Sequence, residues 1–345
     1  MSITLRMAWR NLWRHKRRTW LTVSAMIFSN LLLVFLISLQ FGSYQMMIDN
    51  TLQSFTGHLQ IQRSGYNDDP KLRNSFEGVV PLAKSVRTHT GSDRVAARAM
   101  AFAMTSSEQR SYGLQIVGVD PEFEPRVSTL PGLISQGRYL ERADAEEMVI
   151  GSVLARNLRV DVGDELTLLG GGRDGSFAAG VVRVAGIFDS GVPDMDRSMA
   201  QIPLVYFQSL FGMDDHGHSI VVNAAELSAL ESLQTGIESM LADRPELAVL
   251  NWNILQPGLR QAIQADMASA WFMYAVLIVL VAFSVLNTQL MAVLERTHEF
   301  GVMMALGLKP ARLGGLVVTE TAVMSALGLV IGALLGFLLT WYLSR

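Results

Sequence analysis

Three stretches of this chain, Trp20 to Gly42, Ala268 to Leu294 and Thr321 to Ser344, contain no Asp, Glu, Lys or Arg. Each exceeds the ~20 apolar residues that an α-helix, rising about 1.5 Å per residue, needs to cross a hydrocarbon core. The chain is therefore expected to span a membrane. Composition agrees: half of the residues are hydrophobic and 17% are charged, against about 25% charged in an ordinary soluble domain. Only part of the chain belongs to the bilayer, because residues 43–266 are mixed and polar and are numerous enough for one large or two small domains. There is no cysteine, which removes disulfide frameworks, thiolate metal sites and thiol nucleophiles.

Charge placement sets the orientation. Residues 1–18 carry Arg6, Arg10, Arg14, Lys16, Arg17 and Arg18 and no acid, the excess found on the cytoplasmic flank of a first span. Residues 43–266 hold 18 Lys/Arg against 28 Asp/Glu and follow that span, so they are expected outside. The second span returns the chain inward and places Glu295 to Arg312 in the cytoplasm, where Arg296, Lys309 and Arg312 obey the same rule. A cleaved signal peptide is the alternative for the N-terminus, but its apolar core would be about 7–15 residues ending in a small-residue site. Here the run is longer and ends S-L-Q-F-G. Within 1–18, Leu5, Ala8, Trp9, Leu12 and Trp13 recur at helical spacing opposite Arg6, Arg10, Arg14 and Arg17. That pattern suits a helix lying on the inner leaflet; a basic flank that serves topology alone is the plainer reading.

In the first span, Asn30 suits a hydrogen bond between helices or a transport site. After it, the pattern predicts a strand at His58 to Gln62, a helix at Val79 to His89, and strands at Arg94 to Ser106 and Tyr112 to Val119. Pro121, Pro125 and Pro131 then interrupt, and signals to Met213 are mostly β. A strand Ser219 to Asn223, a helix Glu226 to Arg244 and a strand Leu247 to Trp252 follow. Two strand-helix-strand units, 58–104 and 219–252, are thus expected to flank an inserted β lobe, with their helices on one face of a small sheet. The helical segment Gln256 to Asp266 runs into the second span and makes a stalk.

The expected fold class is a membrane protein: an α-helical transmembrane bundle, three spans visible, with a large α+β extracytoplasmic domain between spans 1 and 2. The boundaries are 1–18 for the basic helix, 19–42 for the first transmembrane helix, and 43–266 for the outer domain with its β-rich insertion at about 121–215. The second transmembrane helix is 267–294, a cytoplasmic coupling helix and turn is 295–312, and the third transmembrane helix is 313–344. In the last span Gly328, Gly332 and Gly336 recur at every fourth position, a face for dimerisation or for packing within the bundle. Glu320, just inside the cytoplasmic end of that span, is either functional or close enough to water to be ordinary.

Chemistry is mostly absent. No G-x-x-x-x-G-K-[ST] loop is present, so ATP is not bound in the usual way. The glycine-rich Gly170 to Gly175 joins two expected strands and reads as a hairpin loop. His216 and His218 are two ligands without a third. Asp189, Asp194 and Asp196 lack the spacing of a calcium loop and read as a solvated turn. No catalytic set stands out, and no cofactor or metal site is expected. What remains is E-R-T-H-E-F-G-V-M-M-A-L-G, Glu295 to Gly307. If Leu294 to Leu306 is one helix, Phe300, Met303, Met304 and Leu306 make an apolar surface, Glu295, Arg296, His298 and Glu299 supply charge, and Gly301 and Ala305 form a small-residue groove. Gly307 can end that helix and Pro310 can begin the next. The segment reads as a helix for another protein's groove; a re-entry loop on lipid headgroups explains the amphipathicity but not the groove.

Motifs along the chain carry a resemblance: A-W-R-N-L-W-R at Ala8 to Arg14, T-G-H-L-Q-I at Thr56 to Ile61, V-G-D-E-L at Val162 to Leu166, and G-I-F-D-S-G at Gly186 to Gly191. To these add E-R-T-H-E-F-G at Glu295 to Gly301 with A-L-G at Ala305 to Gly307. With them the chain resembles the FtsX-like permease family, which includes lipoprotein-releasing and macrolide-exporter ABC transporter permeases, over nearly its whole length. The resemblance implies a non-catalytic permease subunit in the bacterial inner membrane, N-terminus cytoplasmic and large domain periplasmic, that dimerises with a second copy or a paralogue. It implies a cytoplasmic ABC ATPase partner that binds the ATP, with Glu295, Arg296, Glu299, Phe300, Gly301, Met304, Ala305 and Gly307 as contacts. Closure of the ATPases would pass through the coupling helix and stalk to the periplasmic domain by mechanotransmission. Other implied partners are the lipid bilayer and a periplasmic lipoprotein or chaperone, and no nucleic acid. Lipoprotein release toward the outer membrane is the first expectation, peptide or drug efflux the second, and regulation of a cell-wall hydrolase the third. Family members of this type have four spans, so the expectation is that the chain is truncated or that a fourth helix is dispensable or supplied by a partner. A membrane-anchored sensor or binding protein is the reading from another class; it needs a cytoplasmic output domain, and the cytoplasmic pieces expected here are short.

Overall fold

The structure is a computed structural model and describes residues 6, 7, 9, 10, 13, 16–224 and 226–343. The amphipathic helix expected over 1–18 lies mostly outside the described residues; of its members Arg6, Met7, Trp9, Arg10 and Trp13 are helical and exposed. Helix α1 (Lys16–Thr51) runs into a π-turn (Leu52–Thr56), then come strands β1 (Leu59–Arg63) and β2 (Phe76–Glu77), helix α2 (Val79–Thr90), and strands β3 (Val95–Ser106) and β4 (Ser111–Val119). Helix α3 (Glu124–Val127) precedes β5 (Ile134–Gly137), β6 (Glu147–Gly151), α4 (Ser152–Leu158), β7 (Glu165–Gly171) and β8 (Phe177–Phe188). Next are α5 (Pro193–Ser198), β9 (Met199–Pro203), α6 (Leu204–Leu210), β10 (His216–Gly217), β11 (Ser219–Val222), α7 (Leu230–Met240), β12 (Leu247–Asn251) and α8 (Trp252–Leu255). Helices α9 (Pro257–Glu295), α10 (Thr297–Ala305) and α11 (Pro310–Leu343) complete the order. Contacts divide the chain into two units, Met1–Met47 with Gln261–Arg345, and Ile48–Arg260.

In Ile48–Arg260, four strands lie in the order β12-β1-β11-β3, each antiparallel to its neighbour. β1-α2-β3 and β11-α7-β12 are the two expected strand-helix-strand units, but they are interleaved rather than separate. β11 lies between β1 and β3, and β1 lies between β11 and β12, the split βαβ arrangement. Each unit leaves a gap one strand wide that the other fills, so neither makes a sheet alone. Helices α2 and α7 share one face, where Val79, Ala83, Val86, Ile237 and Leu241 join Leu59, Ile61, Val95, Ala97, Ile220 and Val222 in the core. At the entry to β1, Gly57 has φ +74°, and a Cβ there would collide with Val221.

The β-rich insertion is not a separate lobe. β3 is twelve residues long and β11 only four, so β11 covers Val95–Arg98 and leaves Ala103–Ser106 on the same edge to pair with β7. The other edge of β3 pairs with β4. From β4 the pairing passes to β9, β6, β8 and back to β7. Six strands, β3-β4-β9-β6-β8-β7, therefore close on themselves, with Ala101, Leu114, Ile116, Ile150, Leu166, Val182 and Ile202 among their buried side chains. An appended lobe would expose strand edges; closure through β3 and β4 removes them.

In the other unit, α1, α9 and α11 are each long and apolar enough to cross a membrane, by length and composition. Large apolar side chains such as Trp271, Phe272, Phe283 and Phe337 are exposed on them. The glycine stripe of α11 meets α1. A Cβ at Gly328 would lie 2.7 Å from Met26 Cβ, one at Gly332 2.8 Å from the Ile27 carbonyl oxygen, and one at Gly336 2.9 Å from Val34 Cβ. The backbones are close enough for Asn30 Nδ2 to donate to the Leu329 carbonyl at 2.7 Å.

Candidate functional site

The segment between α9 and α11 is not one helix. α9 stops at Glu295, Arg296 takes φ −100° and ψ 12°, and α10 starts at Thr297. The Thr297 hydroxyl donates to the Leu294 carbonyl at 2.6 Å, satisfying an acceptor that the broken helix leaves open. The other end is a Schellman turn: Leu308 N–H donates to Met303 O at 3.1 Å and Gly307 N–H to Met304 O at 3.0 Å, with Gly307 at φ +91°. Pro310 then begins α11.

The break turns two of the expected contact residues inward. Phe300 is buried within this chain. The Arg296 guanidinium reaches Glu320, with Nη1 3.0 Å from Oε2, and its Nε lies 3.4 Å from Glu299 Oε2. Arg296 and Phe300 therefore take part in the packing of the segment, Phe300 buried and Arg296 half-buried. Gly301, Met304, Ala305 and Gly307 are exposed, as are Val302, Leu306 and Glu295, while Glu299 is half-buried. Space around Gly301 and Gly307 is open: a Cβ at either would meet nothing within 4 Å. Glu320 is thus the partner of a charge from a neighbouring segment, which spacing alone did not reveal.

A second polar assembly lies in Ile48–Arg260, where α1 ends. Arg98 and Glu124 are both fully buried and form a two-pronged pair, Nε to Oε2 at 3.0 Å and Nη2 to Oε1 at 2.6 Å. Arg98 Nη1 also donates to the Phe55 carbonyl in the π-turn, and the guanidinium sits 4.3 Å from the Phe55 ring centroid. Nearby, Gln256 Nε2 donates to Thr56 Oγ1 at 2.9 Å, and Trp252 N–H to His58 O at 3.0 Å. The residue just ahead of α9 is thereby tied to the last residue of the π-turn that follows α1. In the other unit, Tyr44 OH and Gln40 Nε2 both donate to Asp266 Oδ2, at 2.6 and 2.9 Å, and Tyr274 OH donates to Gln40 Oε1 at 2.6 Å, joining α1 to α9. Sequence reasoning passed over both assemblies. The one signal was a lone arginine inside the alternating V-A-A-R-A-M-A of β3.

The remaining candidates resolve as structure. His218 is buried against the Tyr66 ring, accepts the Met100 N–H at Nδ1 (2.9 Å) and engages the Leu72 carbonyl through Nε2 (3.0 Å). Both ring nitrogens are used, and burial holds its pKa down at about 4. Asp196 is buried and accepts from Ser190 Oγ at 2.6 Å, closing the acidic turn. Gly170 and Gly171 end β7, and Gly172 to Gly175 lie in the turn to the antiparallel β8.

Residues 19–240 match the family of the MacB-like periplasmic core domain, and residues 271–345 match the FtsX-like permease C-terminal family. Among curated relatives, the lipoprotein-releasing system transmembrane protein LolC of Neisseria meningitidis serogroup B is 24% identical over 241 residues, covering 68% of this chain and 57% of that protein. The macrolide export ATP-binding/permease protein MacB of Bordetella avium is 23% identical over 349 residues, covering 97% of this chain and 51% of that protein. The chain spans about half the length of these relatives. The solved periplasmic region of MacB from Actinobacillus actinomycetemcomitans is 16% identical, with a TM-score of 0.43, covering 64% of this chain and 98% of that one.

Proposed function

The chain belongs to the FtsX-like permease family and carries a MacB-like periplasmic core domain, and from that membership we propose that it is a permease subunit of an ABC transporter working by mechanotransmission. In this reading ATP is bound and hydrolysed by a cytoplasmic ATPase outside residues 1–345, which hold no phosphate loop. The observation that carries the reading is α10. It is a short helix set off by a backbone break on one side and a Schellman turn on the other, and it leaves Gly301, Val302, Met304, Ala305 and Leu306 exposed. A small-and-apolar face edged by Glu295 and Glu299 suits a groove in another protein. ATPase closure would displace α10 and, through the helical unit that carries it, move the outer domain, where Arg98 holds the Phe55 carbonyl in the π-turn that follows α1. A second permease copy or paralogue completes the transporter in this reading.

The proposed cargo is lipoprotein released toward the outer membrane, supported by the lipoprotein-releasing relative. Drug or peptide efflux is the second reading, favoured by the macrolide-export relative that aligns over 97% of this chain. The test is co-purification of an ATPase subunit from detergent-solubilised membranes. Glu299→Lys and Gly301→Leu should each abolish it, and Gly301→Leu is selective because its Cβ meets nothing within 4 Å among the described residues. Equal recovery with wild type and both variants would sink the contact role of α10. Depletion separates the cargoes: mislocalised outer-membrane lipoproteins support the first, and normal sorting with increased macrolide susceptibility supports the second.

A further inference from the structure

We propose that Arg296 and Glu320 form an ionic latch that makes α11, not α9, the helix that moves with α10. The proposal rests on the reading of α10 as the ATPase contact. A displacement would pass from α10 to α9 most directly through an unbroken helix, and that continuity is missing at Arg296. Arg296 N–H donates to the Val293 carbonyl, three residues back, at 3.2 Å, a tightened last turn rather than a continuing one. On the other side, Gly307 to Lys309 form a turn, so the main chain is jointed at both ends of α10. Side chains act at both joints: at the α9 joint the Thr297 hydroxyl donates to the Leu294 carbonyl at 2.6 Å, a neutral bond, and at the other an ion pair spans the turn, so the stronger tie decides which joint is held.

The Arg296 side chain makes that decision toward α11. It bridges α10 and α11 at once, with Glu299 Oε2 3.4 Å from Nε, the Phe300 ring centroid 5.2 Å from Cζ, and Glu320 Oε2 3.0 Å from Nη1. Glu320 lies in the third turn of α11, about 15 Å along its axis from Pro310 at helical rise, so the latch spans the turn at 307–309 instead of reinforcing it. The Arg296 and Glu320 side chains are only 11% and 10% exposed. A pair so shielded is screened much less by salt than a surface pair, and each charge is costly to leave alone. Arg296 is therefore a positioning residue: it fixes α10 on α11, while the α9 joint is spanned by the weaker Thr297 hydroxyl bond and bends first.

The chain has no cysteine, so Leu286→Cys on α9, His298→Cys on α10 and Val318→Cys on α11, all at exposed positions, take spin labels in pairs without background; His298 is not in the face assigned to the ATPase. On the full chain in nanodiscs, the 298–318 distance distribution should be single and narrow. Glu320→Gln and Arg296→Gln should each broaden it, and the double variant should broaden it no further, because one interaction is lost in all three. Arg296→Lys keeps the charge without the fork and should fall between. Unchanged widths, or additive broadening, overturn the latch. With the co-purifying ATPase bound, ATP plus vanadate should shift the 286–298 distance and leave 298–318 unchanged in wild type, while in Glu320→Gln the 298–318 distance should shift as well. A wild-type shift in 298–318 overturns the proposal. If no ATPase co-purifies with wild type, the proposed function fails, and the nucleotide-free widths still decide the latch.

Discussion

Arg98 illustrates what a charge requires at full burial. Its guanidinium has Glu124 on two prongs, the Phe55 carbonyl on a third and an aromatic face above it, so desolvation is offset by contacts on several sides. Arg98→Met leaves Glu124 buried and alone, and thermal or urea unfolding should register a loss of about 3–5 kcal/mol. Adding Glu124→Leu should recover most of that loss; a double variant as weak as the single would contradict this account. The arginine was visible in the sequence as an anomaly among small apolar residues, but its partners were not, since they lie 26 and 43 residues away. His218 is fixed by the same requirement: burial makes it a hydrogen-bonded element of the core, with both ring nitrogens engaged. The folded state holds His218 neutral down to about 4 against an ordinary 6.5, so between those values the unfolded chain binds more protons. Stability should therefore fall as pH drops from about 6.5 to about 4, by about 3 kcal/mol in all. In His218→Gln that portion of the pH dependence should disappear from unfolding curves; an unchanged profile would assign it to other groups.

At the level of elements, spacing identified the glycine face of α11 but left its occupant open. A four-residue period says where a backbone can approach, and any helix satisfies it; the observed occupant is α1 of the same chain. Gly332→Leu should push these helices apart and destabilise the helical unit by about 1–3 kcal/mol, read by thermal unfolding in detergent. Gly315→Ala, where an added Cβ meets nothing within 4 Å, should be neutral or stabilise by about 0.5–1 kcal/mol. Equal effects from the two would show that tight packing does not matter here. The break at Arg296 was not legible, because Leu294 to Leu306 satisfies helical periodicity throughout. There Arg296 pairs with Glu320 of another helix and Phe300 is buried, which no local period contains.

For the whole molecule, orientation is the claim most exposed to test. If the basic N-terminus is inside, a cysteine at Phe177, exposed in the β7–β8 hairpin, should react with a membrane-impermeant maleimide on intact spheroplasts. His298→Cys in α10 should react only after permeabilisation; the reverse pattern would invert the topology. The sequence by itself determined three membrane-length helices, the polar domain between the first two, most of its strands, and the isolation of α10 between spans. These follow from local quantities: hydropathy over about 20 residues, alternation over a strand, charge within a flank. Only the tertiary structure decided that the two strand-helix-strand units interleave, that β7 returns to β3 and closes six strands on themselves, and that Arg98 and Arg296 turn inward to carboxylates on other elements. Each of these is a pairing between distant residues, and its energy depends on which edge or charge the rest of the fold leaves unpaired, a quantity no local window contains.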